Sequence, residues 1–317
     1  MLPASPFLHL PTPKFIRSGT VDLAVYRWGE ADTPPARPTL VLVHGYPDAA
    51  DVWCAVAEKL ADRFDIVAYD VRGAGRSSAP KTTADYAFPQ IVGDLRAVID
   101  EVSPTRPVHL VAFDWGSLQA WEALLCGCLD GRVASYSTAA PALDHASFWF
   151  LRRLQRPTLR GLLQAFKRML GSSYMAFFQL PLIPELGWRF GMARYWPRYL
   201  FKLEGIRVAP RETQMADGQN GVRLYRANVP GKLRNPLKRT TNVPVQLLIM
   251  QRDPFVTPTL FEDLEQWAPR LVRREFDCGH WGVLSHPRPI ADAIAQFVLA
   301  NEPARVSSPV TAQRASG

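Results

Sequence analysis

The chain has 317 residues, 47% of them hydrophobic and 21% charged. That supplies a full core for one large domain or two small ones and excludes a disordered chain. No run of 18 apolar residues occurs and the amino end lacks a basic-then-apolar export signal, so neither a membrane span nor secretion is expected. The net charge of +8 is uneven: residues 141–240 carry 18 Lys and Arg against 5 acids, a net of +13, which leaves −5 for the rest.

Residues 1–14 hold four prolines and read as a strap. Candidate strands follow at VDLAVYRW (21–28), TLVLVH (39–44), DIVAYD (65–70), VHLVAFD (108–114), VASYSTA (133–139), VQLLIMQ (245–251) and LVRREFD (271–277). Helical periodicity fills 52–63, 86–101, 116–129, 259–267 and 287–300. Near-continuous apolar strands alternating with helices predict a mostly parallel sheet covered on both faces, an α/β fold. No helix separates the first strands, so an antiparallel edge is expected there.

From 141 to 240 the alternation stops. FWFLRRLQRP, LLQAFKRMLG, YMAFFQLP and ELGWRFGMARYW read as short amphipathic helices broken by Pro and Gly, the pattern of a helical lid over a site. The division expected is a core at 15–140 and 241–301, a cap at 141–240 and a flexible tail at 302–317. The basic cap suits either a solvated Arg-rich surface or an anionic lipid or ligand surface. Cys54, Cys126, Cys128 and Cys278 fit no zinc or disulfide framework, so free thiols in a reducing, cytoplasmic compartment are expected. No nucleic-acid partner is expected, and oligomeric state is unread.

In open α/β sheets ligands sit beyond the carboxyl ends of the strands. There the sequence places His44-Gly45-Tyr46-Pro47, Asp114-Trp115-Gly116, Asp253-Pro254 and Cys278-Gly279-His280. Ala112-Phe113-Asp114-Trp115-Gly116 has the small residues that a sharp strand-to-helix turn demands two places either side of a nucleophile, with Asp where Ser is usual. The other reading of Asp114 is a helix N-cap. Of six histidines, His280 follows the last strand directly and is the candidate base. Asp253 is its partner, with Asp144 and Asp277 as rivals, and His286 reads as a cap or packing residue. GAGRS lacks the Lys and Gly spacing of a phosphate loop, and no histidine spacing suits a metal, so no cofactor is expected.

These residues resemble the α/β-hydrolase superfamily from about Phe15 to Phe297. The D-W-G turn with H-G-Y-P and YDVRGAGRSS (69–78) looks like its branch of epoxide hydrolases and haloalkane dehalogenases. A carboxylate nucleophile suits attack on an sp³ carbon, giving an alkyl ester for His280-activated water to hydrolyse. The N–H groups of Tyr46 and Trp115 are the expected oxyanion donors. Opening an epoxide needs a donor to the ring oxygen. Tyr174 in SSYMAFFQLP and Tyr225 in LYRAN look like the paired cap tyrosines of epoxide hydrolases, although helical aromatics are also ordinary packing. YDVRGAGRSSAP, SSYMAFFQLP, LYRAN and GHWGVLSHP together look like the hydrolase part of mycobacterial epoxide hydrolase D-type proteins, often fused to a short-chain dehydrogenase. No GxGxxG fingerprint follows here, so either the fusion is lacking or the sequence is part of a longer chain. The resemblance implies a lipophilic epoxide as small-molecule partner. A haloalkane dehalogenase and a ligand-binding relative without turnover are the alternatives; Tyr46 stands where dehalogenases carry Asn or Trp.

Overall fold

The computed structural model describes residues 10–29, 37–155 and 157–303. Most of the expected strap (1–9) and tail (304–317) lies outside the described residues. Eight strands form one sheet: β1 (Lys14–Ser18), β2 (Val21–Trp28), β3 (Thr39–Val43), β4 (Asp65–Tyr69), β5 (Val108–Ala112), β6 (Val133–Thr138), β7 (Val245–Met250) and β8 (Leu271–Phe276). Their spatial order is β1-β2-β4-β3-β5-β6-β7-β8. β2 runs antiparallel to β1 and β4, and from β4 to β8 every pairing is parallel.

The physical cause is visible in β3. Leu40 and Leu42 face one apolar layer with Trp53, Val56 and Ile294, while Val41 and Val43 face another with Leu95, Val98 and Trp121. A strand with core on both sides must be apolar at every position, whereas an amphipathic strand would leave one face wet. β8 at the edge reads LVRREF and exposes its charges, which blunts edge-to-edge pairing. The covering helices are α1 (Cys54–Leu60), α2 (Phe88–Val102) and α3 (Trp115–Leu125).

Between β6 and β7 come α4 (Leu143–Gln155), α5 (Leu159–Gly171), α6 (Ser173–Phe177), α7 (Ile183–Gly187), α8 (Ala193–Glu204) and α9 (Gln214–Arg234). A third apolar cluster joins this insertion to the strand ends, with Tyr46 and Trp115 packed against Phe178, Trp188, Val222 and Tyr225. The chain closes with α10 (Gly282–Ser285) and α11 (Pro287–Ala300).

Three features differ from the sequence-based expectations. The sequence pattern places no strand before Val21, yet β1 pairs with β2 through the tight turn at Gly19. Residues 259–267 hold two 3₁₀ turns, Pro258–Phe261 and Leu264–Gln266, rather than an α-helix, because Asp263 between them takes φ +61 and breaks the helical path. Cys126 and Cys128 are joined by a disulfide, which overturns the expectation of four free thiols; Cys54 and Cys278 are buried thiols. The turn after α3 curls back on itself and brings these two α-carbons to 5.3 Å, within disulfide reach.

Candidate active site

The site is built at the carboxyl ends of β3, β5 and β7 and the loop after β8. Asp114 sits between β5 and α3 at φ 50, ψ −130, a region that L-residues rarely occupy. Its carboxylate makes no cap hydrogen bond to α3, so the N-cap reading does not account for it. The bend is possible because Gly116 passes close under the sheet: a Cβ there would lie 2.3 Å from the Val43 carbonyl oxygen. Gly45 is equally close, since its Cβ would fall 2.4 Å from that of Asp114. The Tyr46 backbone N–H donates to Asp114 Oδ1 at 2.7 Å.

His280 Nε2 lies 3.6 Å from Asp114 Oδ2. On the opposite side of the ring, Nδ1 is 2.6 Å from Asp253 Oδ2. A carboxylate only accepts, so Nδ1 carries the proton and Nε2 is the atom turned toward Asp114. Asp253 is itself fixed, because its Oδ1 accepts the backbone N–H groups of Phe255 and Val256 at 2.7 and 2.9 Å. Burial works against charge on His280, but the Asp253 carboxylate, with that of Asp114 nearby, outweighs it and holds the imidazole well above its usual pKa. For Asp253 burial acts upward, yet the facing imidazole and the two backbone donors leave it below its ordinary value.

Two apolar cavities meet at Asp114. One, of about 360 Å³, is lined by His280, Trp188 and Tyr199; the other, of about 620 Å³, by Leu118, Leu143 and Leu233. Asp114, Tyr174, Tyr225 and Phe255 line both. Tyr174 comes from α6 and Tyr225 from α9, their ring centres 6.0 Å apart. Burial, followed by the neighbouring Asp114 for Tyr174 and by Tyr174 and Asp114 for Tyr225, raises both phenols above their usual range. At neutral pH they are therefore proton-bearing donors.

Residues 38–287 match the alpha/beta hydrolase fold family. The chain belongs to that family. It is 38% identical over 285 residues to a protein of Mycobacterium tuberculosis named "Probable oxidoreductase EphD", covering 87% of this chain and 48% of the relative. It is also 32% identical to "Epoxide hydrolase A" of the same organism over 178 residues, 55% of this chain and 50% of that one. The chain thus spans about half the length of these curated relatives. Among solved structures, an epoxide hydrolase of Bacillus megaterium in complex with an inhibitor superposes with a TM-score of 0.73 at 20% identity, covering 90% of this chain and all of that one, a likeness of fold.

Within this hydrolase fold, the other residues singled out in the sequence fall as follows. Pro47 and the Tyr46 ring wall the smaller cavity, but the Tyr46 hydroxyl is engaged by the insertion: it donates to Gly218 O at 3.1 Å and accepts from Trp188 Nε1 at 2.6 Å. His44 does not reach either large cavity. Its Nδ1–H donates to Gly45 O at 2.8 Å and its Nε2 accepts the Val71 N–H at 2.9 Å, so it braces the loop as a neutral ring, its pKa pushed down to about 4 by burial. Trp115 presents its indole edge-on to Tyr225, ring centres 4.7 Å apart. The rival acid Asp144 is taken up by Lys232 and Arg239, and Asp277 pairs with Arg252 at the surface. Trp149 packs under the Arg153 guanidinium.

Two supports were not legible beforehand. Glu204, at the end of α8, accepts the Trp281 N–H at 2.9 Å and the Ser285 hydroxyl at 3.1 Å, tying the His280 loop to the insertion. Arg211, largely buried, sits among Asp48, Asp51 and Asp217 and donates to Pro47 O at 2.6 Å. An acid within an otherwise basic segment was the available signal for Glu204; Arg211 was one arginine among many.

Proposed function

We propose that this chain hydrolyses lipophilic epoxides to vicinal diols. Asp114 Oδ2 attacks a ring carbon from the cavity junction; the carbon–oxygen bond breaks, and the ring oxygen takes a proton from Tyr174 or Tyr225. The product is a hydroxyalkyl ester of Asp114 and a tyrosinate. His280 Nε2 then takes a proton from water, and the hydroxide adds to the ester carbonyl carbon. The Tyr46 N–H, with that of Trp115, stabilises the oxyanion, removal of one such donor typically costing about 10²–10³ in rate. Collapse of the adduct releases the diol, which takes the proton of the new Asp114 carboxyl, and His280 returns its proton to the tyrosinate. Water and epoxide are consumed, and every protein group is restored.

The reading rests on one juxtaposition: a carboxylate within 3.6 Å of an Asp-oriented imidazole, facing two proton-bearing tyrosines in one cavity. Without the tyrosines, the same carboxylate and imidazole would equally suit release of halide. Apolar room on both sides of Asp114 favours an epoxide flanked by hydrocarbon.

The test is a trapping experiment. His280→Gln keeps the nucleophile and removes the base, so incubation with an epoxide panel adds one substrate mass to the peptide bearing Asp114. Diol formation by the wild-type chain in heavy-oxygen water places label first in the Asp114 carboxylate. No adduct across epoxides, or turnover of haloalkanes that persists in Tyr174→Phe with Tyr225→Phe, removes this reading.

A further inference from the structure

Helix α5 carries an apolar face that no described part of the chain covers. Its buried positions are Ala165 and Arg168, the latter turned inward to Ser172 Oγ and Pro254 O. On the opposite side Leu159, Leu162, Leu163, Phe166, Met169 and Leu170 are exposed by 42% to 88%. At about 100° per residue these six share an arc of about 120°. Exposed Arg160 and Lys167 flank that arc on one side, and residues 151–171 contain no Asp or Glu. A contiguous apolar stripe on a water-facing helix marks a contact surface. Joined to a cationic flank, it is the pattern of a helix lying in a bilayer interface. Met169 and Leu170 also line the 620 Å³ cavity that reaches Asp114, so the stripe borders that cavity.

We propose that α5 docks on a lipid bilayer bearing anionic headgroups. The leucines and Phe166 enter the acyl boundary, and Arg160 and Lys167 meet the headgroup phosphates, helped by the net +13 of residues 141–240. Docked in this way, the cavity opens toward the acyl chains, and an apolar ligand passes from lipid to Asp114 without crossing water. The docking goes beyond the proposed reaction and is read without substrate, so either can fail while the other stands.

The experiment is sedimentation of the full chain with vesicles of mixed phosphatidylglycerol and phosphatidylcholine, and with phosphatidylcholine alone. The expected result is binding about tenfold or more tighter to the anionic vesicles. Leu163→Asp with Phe166→Asp abolishes it while the melting temperature is unchanged; Leu159→Asp, at the helix start, weakens it should the double variant not fold. Arg160→Glu with Lys167→Glu removes the preference for phosphatidylglycerol. Wild-type chain left in the supernatant, or apolar-to-Asp variants that sediment as the wild type does, overturns the proposal. So does a lipid-free dimer that the Leu163→Asp and Phe166→Asp changes dissolve, since the face then serves a second copy.

Discussion

His280 is asked to be a base, yet the surrounding carboxylates hold its proton firmly. The proposed chemistry itself relieves this. Two carboxylates, Asp253 and Asp114, favour the imidazolium before reaction. Esterification removes the charge on Asp114, so one of the two is lost and the imidazole pKa falls in the intermediate. Alkylation needs only an ionised Asp114, whereas ester hydrolysis needs a neutral His280. Acidification should therefore slow the second half-reaction about tenfold per pH unit below that intermediate's pKa and let ester accumulate in quenched wild-type samples. An ester fraction independent of pH would count against His280 as base. Asp114→Asn should abolish adduct formation altogether, while Tyr174→Phe with Tyr225→Phe should slow alkylation by about 10²-fold or more and leave hydrolysis of a preformed ester less affected.

At the scale of elements, the site depends on how closely α9 approaches the β3 loop. Gly221 of α9 lies against the Tyr46 ring, where a Cβ would fall 2.2 Å from Cδ2, and Gly218 lies equally close to Trp188. Alanine is the better helix former by about 1 kcal/mol, so Gly221→Ala would stabilise an isolated α9. In the folded chain the added methyl must push Tyr46 aside, and overpacking typically costs about 1–3 kcal/mol. We expect a lowered melting temperature together with reduced activity, because the backbone N–H of Tyr46 is a donor to Asp114; a raised melting temperature at full activity would refute the close approach. Such contacts explain what the sequence could and could not disclose. The central strands β3, β4, β5 and β7 were legible because parallel strands buried on both faces are near-continuous apolar runs, and the elbow because its bend excludes large flanking residues. β1 was not, since KFIRS is mostly exposed and lacks that pattern. The sequence pointed to Tyr174 and Tyr225 through resemblance alone; their meeting with Asp114 depends on how the insertion folds back, which no local pattern encodes. His44 shows a related limit: a histidine beside such a turn has the same local context whether it faces the cavity or braces the loop.

At the scale of the whole molecule, the basic insertion and the acidic body meet through buried ionisable groups whose responses to acid oppose one another. Burial, only partly offset by Arg211 and by the Trp281 indole, pushes Asp48 up to about 7. A carboxyl that binds its proton more tightly in the folded state contributes stability that is full below the unfolded pKa near 3.9 and lost as pH rises through about 7. His145, buried with its Nε2 at Glu262 O, is pushed down to about 4. Its contribution has the other sign: full above the unfolded pKa near 6.5 and lost as pH falls toward 4. Each amounts to roughly 3–4 kcal/mol at most, and in the shared window from pH 4 to 6.5 their opposed slopes largely cancel. Substitution should unmask each in turn. Asp48→Asn keeps an acceptor for Trp281 and removes the carboxyl, so relative to wild type its stability should fall as pH drops from 6.5 to 4.5. His145→Gln should show the reverse, gaining on wild type over the same interval. Urea unfolding of the three proteins at both pH values measures the difference, and parallel stability–pH curves for all three would refute this pairing of opposed buried groups.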